Sequence, residues 1–458
     1  MTRYLFCALL TLSLAEGAQG IDGRWAGNID VLGQRLEITV VFEAAATRGT
    51  IDIPVQGAMG ISLQNVSYRP PVVHFEIPGI AVAVLEGQLD GDTIVGSFTQ
   101  SGIAGSFELA RAGQAVESAE KADPPPYLER EVEFFNGNVR LAGTLTLPTA
   151  GGPFPAVILI TGSGPQNRDQ ELFGFRPFRL MADHLTRHGV AVLRYDDRGV
   201  GGSTGSVPES TSLDFAGDVV AAASLLAERD DIDARRIGAI GHSEGGVVAP
   251  MAAASGQLGF IILLAGSALP GEDILYAQGQ LIMQANGATL QQLEEQKSIQ
   301  QMMFQATRSN AGWEAVSEGV AAQIRRSLDD LPEEQRQAIV DVEAYVNQQV
   351  QSQLFQVQTP WFRAFLDYDP RPALEALNIP VLALFGELDL QVPAESNARA
   401  MRQAFEASGH ENFRIEILTG ANHLFQTAQT GSPSEYPDLD KSFVPELLPM
   451  LTRWILSQ

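Results

Sequence analysis

The apolar and polar positions fall into three successive patterns along the chain. Residues 34–42 alternate polar and apolar before closing on an apolar run. Residues 72–77 and 94–98 are rich in β-formers and bounded by Pro, Gly and Asp-Gly turn signals. Short strands at regular spacing with no helical period predict a small antiparallel sandwich or barrel over 21–111. From residue 127 the pattern changes. A hairpin (131–135 and 140–147, around Asn136-Gly137-Asn138) leads into strands at 156–160, 190–194, 237–240 and 260–265. Helical periods separate them at 178–188, 213–228 and 245–255. Strands spaced by helices imply a doubly wound, mostly parallel α/β sheet.

Alternation then stops for residues 269–370, which are rich in Gln, Glu, Ala and Met and carry helical periods at 290–306 and 332–354. It returns with strands at 381–385 and 413–418 and helices at 394–407 and 443–456. A helical insertion between two sheet strands belongs over the carboxyl edge, where such sheets bind ligands. It is read as a lid over a core made of 127–268 and 371–458. Trp361, Phe362, Phe365 and Tyr368 close the insertion, as ordinary core or as the lining of an acyl pocket. Between barrel and core, 112–126 lacks apolar periodicity and ends in three prolines, the composition of a linker.

The first 20 residues carry Arg3, an apolar run over 4–14, and small residues at Ala18 and Gly20. That order predicts a signal peptide removed ahead of Ile21, hence export to the periplasm or the medium. Cys7, the single cysteine, lies inside it. The mature chain would then form no disulfide and have no thiolate or Cys-based metal site. No later stretch approaches the roughly 18–20 apolar residues of a membrane span. With 45% apolar residues the composition is that of a globular protein, and a net charge of −25 argues against nucleic acid or anionic membrane as a partner.

Candidate chemistry centres on Gly241-His242-Ser243-Glu244-Gly245, set between a buried strand and an apolar helix. Gly-x-Ser-x-Gly in that setting is a nucleophile elbow. A serine hydroxyl needs a base within reach, oriented by a third group. The six histidines permit elimination. His74 belongs to the β module. His184 and His188 sit four apart on one helix, a spacing that suits metal but lacks a further ligand. His242 is in the strained turn and cannot fold back onto Ser243, and His410 ends a helix. His423 follows the last strand and is the expected base. Asp389, just past the strand at 381–385, is the expected acid, with Glu387 as second choice, while Asp367 and Asp369 read as turn residues. The oxyanion hole is assigned to the backbone N–H groups of Glu244 and, from Thr161-Gly162-Ser163-Gly164-Pro165, of Ser163 ahead of Gly164. The loop at 194–203 lacks the third glycine of a dinucleotide site, so Asp197 and Arg198 are read as a structural ion pair. No cofactor or metal is called for.

Assembled, these stretches resemble exported bacterial α/β-hydrolases of the esterase and serine-aminopeptidase-like group. The match runs through Gly162-Ser163-Gly164-Pro165-Gln166-Asn167-Arg168-Asp169, Tyr195-Asp196-Asp197-Arg198-Gly199, the elbow, Trp361-Phe362-Arg363, Gly386-Glu387-Leu388-Asp389 and Asn422-His423. The resemblance implies hydrolysis of small-molecule carboxylic esters through an acyl-enzyme. An aminopeptidase using the same triad is the alternative, and it would need an acidic recess for the substrate's amino group. A non-catalytic binding protein on the same scaffold is the second. The opening Gly23-Arg24-Trp25-Ala26-Gly27 is similar to the Gly-x-Trp entry of lipocalin-like barrels. It leaves the β domain open to a structural role, ligand binding or self-association.

Overall fold

The computed structural model describes residues 20–458 apart from 33, 45, 54–57, 80 and 113–124. The expected signal peptide, but for Gly20, and most of the expected linker lie outside the described residues.

Nine antiparallel strands form the first unit: β1 (Gly23–Val31), β2 (Gln34–Glu43), β3 (Arg48–Ile53), β4 (Ala58–Ser62), β5 (Gln64–Arg69), β6 (Val72–Ile77), β7 (Ala83–Asp90), β8 (Thr93–Gln100) and β9 (Ile103–Arg111). Their order is β4-β3-β2-β1-β9-β8-β7-β6-β5. The two edge strands, β4 and β5, follow one another in the chain with only Leu63 between them. Leu63 N–H donates to the Gly49 carbonyl of β3 at 2.8 Å, and because β4 runs straight on into β5 the two edges lie together and the sheet is a nearly closed barrel. Alternation along each strand sends Trp25, Phe42, Phe75 and Phe107 inward, where they are buried. Phe75 meets Phe42 and Phe107 edge-on, with centroids 5.4 and 5.8 Å apart. Trp25 is fully buried, its indole N–H donating to the Ile21 carbonyl at 2.8 Å and its ring covered by the Arg111 guanidinium. The Gly-x-Trp motif thus supplies core.

The second unit is an eight-stranded sheet: β10 (Tyr127–Asn136), β11 (Val139–Pro148), β12 (Phe154–Ile160), β13 (Ala191–Tyr195), β14 (Ile232–His242), β15 (Phe260–Leu264), β16 (Val381–Gly386) and β17 (Phe413–Leu418). Its order is β10-β11-β13-β12-β14-β15-β16-β17, antiparallel through β10, β11 and β13 and parallel from there on. Every residue of β12, β13, β15 and β16 is buried, as expected for apolar runs covered on both faces. The covering helices include α1 (Pro177–Arg187), α2 (Ser212–Ala227) and α3 (Glu244–Ala253). In α1, Phe178, Met181, Ala182 and Leu185 repeat at helical spacing and form its buried stripe. Strand order reverses at β12, flanked by β13 on one side and β14 on the other, so the loops after β12 and β14 part and open a crevice.

The insertion is helical: α4 (Gly271–Ala285), α5 (Leu290–Ser309), α6 (Trp313–Asp329), α7 (Glu333–Gln337), α8 (Val342–Val357) and α9 (Pro360–Asp367). Gly271 N–H donates to the Tyr368 carbonyl at 2.9 Å and closes its neck. After it come α10 (Arg371–Glu375), α11 (Ala394–Ser408) and α12 (Leu447–Leu456). The helical stretch expected at 332–354 is split between α7 and α8. In the break, Ile103 of the barrel pairs antiparallel with Ile339. Ala104 N–H donates to the Ala338 carbonyl at 2.9 Å, and Asp341 N–H to the Gly102 carbonyl at 3.0 Å. Asp341 then caps α8 through Ala344 N–H. The last helix begins at Leu447 rather than near 443, because Pro445 restricts its approach and Pro449 lacks the N–H that an earlier start would use.

Candidate active site

Strand β14 ends at His242, α3 begins at Glu244, and Ser243 between them has φ 56 and ψ −116. A non-glycine residue held there stores roughly 1–3 kcal/mol of strain. Ser243 N–H donates to the Leu264 carbonyl at 2.8 Å and its own carbonyl accepts from Gly246 N–H at 2.9 Å, which pins the turn. A Cβ on Gly241 would strike the Gly245 carbonyl, and one on Gly245 would strike the Ile160 carbonyl, so strand and helix close up only with glycine at both places.

Ser243 and His423 line one cavity of about 720 Å³ under the lid. His423 stands in the loop after β17, Asp389 in the loop after β16, and both are buried. His423 Nδ1 lies 2.8 Å from Asp389 Oδ2. The other carboxylate oxygen accepts the N–H groups of Gln391 and Val392, each at 2.8 Å. With Nδ1–H donated to the carboxylate, Nε2 is left as the ring's acceptor. The two loops are stitched together: Leu388 N–H donates to the Ala421 carbonyl, and Asn422 Oδ1 accepts from Leu424 and Gln426. Glu387, the other candidate acid, is exposed and accepts from Gly420 N–H instead.

Glu244 occupies the first position of α3, where a backbone N–H has no acceptor within the helix. Opposite it runs the loop after β12. A Cβ on Gly162 would stand only 3.2 Å from the Ser243 Cβ, so this loop passes directly against the serine, and Ser163 lines the cavity. Asp197 holds the loop by accepting from Thr161 Oγ1 at 2.6 Å and from Gln166 N–H at 2.8 Å. Burial of its carboxyl pushes the pKa up to about 8. The expected Asp197–Arg198 pair does not form. Arg198 turns the other way and grips Asp218 through two nitrogens at 2.8 Å, because its carboxylate lies on the helix face packed against the loop.

His242 is a residue whose role the sequence did not disclose. It is buried, with Nε2 2.9 Å from the His423 carbonyl oxygen and Nδ1 2.6 Å from Gln170 Nε2. Burial, and then the neighbouring His423, lower its pKa to about 3. The remaining histidines stand apart from the cavity. His184 and His188 stack on α1 at 4.3 Å, His410 packs against Phe405, and His74 lies beside Glu76 and Glu86 in the barrel. No group of three or more His, Cys, Asp or Glu suited to a metal occurs among the described residues. From the lid, Trp361, Phe362 and Phe365 line the cavity, whereas Tyr368 serves the neck. Asp367 pairs with Arg308 and Asp369 with Arg371, as turn and surface residues do.

The sequence pattern of the alpha/beta hydrolase family matches residues 157–433, well over half the chain, and that span contains Ser243, Asp389 and His423. The chain belongs to this family. Among curated proteins it is similar to esterase EstD of Thermotoga maritima, 25% identical over 358 residues that cover 77% of this chain and 74% of EstD. Solved structures with a similar fold include the Pyrococcus furiosus esterase Pf2001, at 17% identity and TM-score 0.43, over 72% of this chain and 91% of that one. Proline iminopeptidase of Mycobacterium smegmatis matches at 16% identity and TM-score 0.43, over 72% and 98%. Within the alpha/beta hydrolase family, this chain therefore has esterase homologues, and its barrel lies ahead of the matched region. Among the described residues no helix is long and apolar enough to cross a membrane.

Proposed function

We propose that this alpha/beta hydrolase is an exported serine carboxylesterase. Ser243 Oγ attacks the ester carbonyl while His423 Nε2 takes its proton. The N–H groups of Glu244 and Ser163 hold the tetrahedral oxyanion. His423 then protonates the leaving alcohol, which leaves an acyl ester on Ser243. Water repeats the attack with His423 as base, the acid departs and the serine is restored. Asp389 keeps the imidazole in the required tautomer and stabilises its charged form.

The observation that carries this reading is the 2.8 Å His423–Asp389 bond at the wall of the cavity that Ser243 also lines. Ester rather than aminopeptide substrates are supported by the cavity's carboxylates. Glu171 is paired with Arg176, and Glu244 is buried and bonded to Ser212 and Trp361, so neither is free to receive a substrate ammonium. Export is supported by the Arg3, apolar-run and small-residue order at the N-terminus. Fluorophosphonate labelling with mapping of the adduct tests the site, and p-nitrophenyl esters beside aminoacyl anilides test the substrate class. We expect an adduct on Ser243 and ester turnover far above anilide turnover. An adduct elsewhere, or anilide cleavage with negligible ester cleavage, overturns the reading.

A further inference from the structure

A carboxyl group removed from water needs hydrogen-bond partners, since burying it unpaired costs several kcal/mol. The side chain of Glu244 is such a group: the residue is 3% exposed. Its partners come from two other parts of the chain. Ser212 Oγ, at the start of α2, donates to Oε1 at 2.6 Å. Trp361 Nε1, on lid helix α9, stands 2.9 Å from Oε1 and 3.1 Å from Oε2. Both donors are neutral, and burial holds the carboxyl above its ordinary pKa against their pull.

The backbone and side chain of this residue therefore serve different neighbours. Its N–H begins α3 beside the nucleophile, while its carboxyl ties the start of α2 to the lid. Trp361 in turn stacks on Phe365 with centroids 5.6 Å apart, and both line the cavity, so the bond to Glu244 sets one cavity wall. We infer that Glu244 is a positioning residue whose carboxyl latches lid helix α9, through Trp361, to the residue whose own N–H is a proposed oxyanion donor, so that a seated lid and an ordered oxyanion site form together. This rests on the proposed serine-esterase reading. An apolar side chain would fill the same space but would leave the indole N–H and the Ser212 hydroxyl without their common acceptor.

The test uses the full chain, p-nitrophenyl acetate, a long-chain p-nitrophenyl ester and a fluorophosphonate. Trp361→Phe keeps the ring and removes the donor, and Glu244→Leu removes the acceptor. Each should lower kcat for the acetate, whose acyl group is too short to lean on the lid, by roughly 10-fold or more, and slow phosphonylation to match. The double variant should be no slower than the slower single variant, as coupled partners require. Glu244→Gln, which retains an acceptor, should be faster than Glu244→Leu. Wild-type kcat for acetate in Trp361→Phe overturns the latch, as does a loss confined to KM for the long-chain ester, which would make Trp361 a wall and nothing more. Losses that multiply in the double variant also overturn it. Should Glu244→Leu not fold, Trp361→Phe decides alone. The two readings fail separately: a wild-type adduct away from Ser243 removes the esterase site, whereas Ser243 labelling at an unchanged rate in the variants removes only the latch.

Discussion

His242 Nε2 lies 2.9 Å from the carbonyl oxygen of His423, and the two rings, tilted by 53°, have centroids 4.8 Å apart. The residue before the candidate nucleophile thus holds the backbone of the candidate base. Because His242 is neutral in its buried site, one nitrogen donates to that carbonyl while the other accepts from Gln170. Replacing His242 with Ala should leave Ser243 in place and let the His423 loop relax. We expect kcat for a p-nitrophenyl ester to fall by roughly 10–100-fold with a smaller change in KM, as for a misplaced catalytic group. Steady-state kinetics at pH 8 checks this.

The same histidine makes stability depend on pH. Its pKa falls from 6.5 when unfolded to about 3 when folded. Between those values the unfolded chain binds a proton that the folded chain refuses, so this contribution is intact above pH 6.5 and is lost as pH drops towards 3. His242→Gln cannot titrate. Between pH 7 and 4.5 the wild type should lose about 2–3 kcal/mol more than this variant. Urea unfolding at the two pH values measures the difference, and equal losses would contradict the assignment.

Asp389→Asn tests the acid without emptying its space. The amide oxygen can still accept from Gln391 and Val392, but the group no longer carries the charge that favours the His423 imidazolium. A loss of about 10³–10⁴-fold in kcat is expected with Tm within a few degrees of wild type. Glu387→Gln should stay near the wild-type rate, since that side chain faces Gly420.

Arg198 and Asp218 form a buried ion pair, with Asp218 also receiving Asn136 Nδ2 at 2.8 Å. Arg198→Ala strands the carboxylate and should destabilise the fold by about 3–5 kcal/mol. Chemical denaturation gives the value. A loss below about 1 kcal/mol would mean that water reaches the carboxylate.

Gly102, with φ 77, lets the barrel's β8–β9 hairpin meet the lid, and a Cβ there would strike the Asp341 carbonyl. Gly102→Val should break the Ile103–Ile339 pairing and leave both units folded. Limited proteolysis should then cut first between α7 and α8, at least several-fold faster than in the wild type. An unchanged cleavage pattern would show that the lid does not depend on this contact.

Most of the fold was legible because its signals are local. The runs in β12, β15 and β16 are apolar since both faces of the sheet are covered, and α1 shows its buried stripe in the spacing of Phe178, Met181 and Leu185. The misreadings lay where a distant partner decides. The helix expected over 332–354 breaks where a barrel strand pairs with Ile339. Arg198 leaves its neighbour Asp197 for Asp218, 20 residues on.

Gly-x-Ser-x-Gly, the strand before it and the order Ser243, Asp389, His423 were sufficient to pick out the candidate residues, because an elbow is a short-range steric solution that few sequences satisfy. Side-chain direction was beyond their reach. That His423 turns to Asp389 rather than Glu387, that His242 supports it from behind, and that Glu244 reaches up to Trp361 are matters of which loops the packed sheet brings within 3 Å. Hydrogen bonds between residues 34, 181 and 117 positions apart leave no periodic trace in the chain, and only the packing that brings these partners together and buries them selects them.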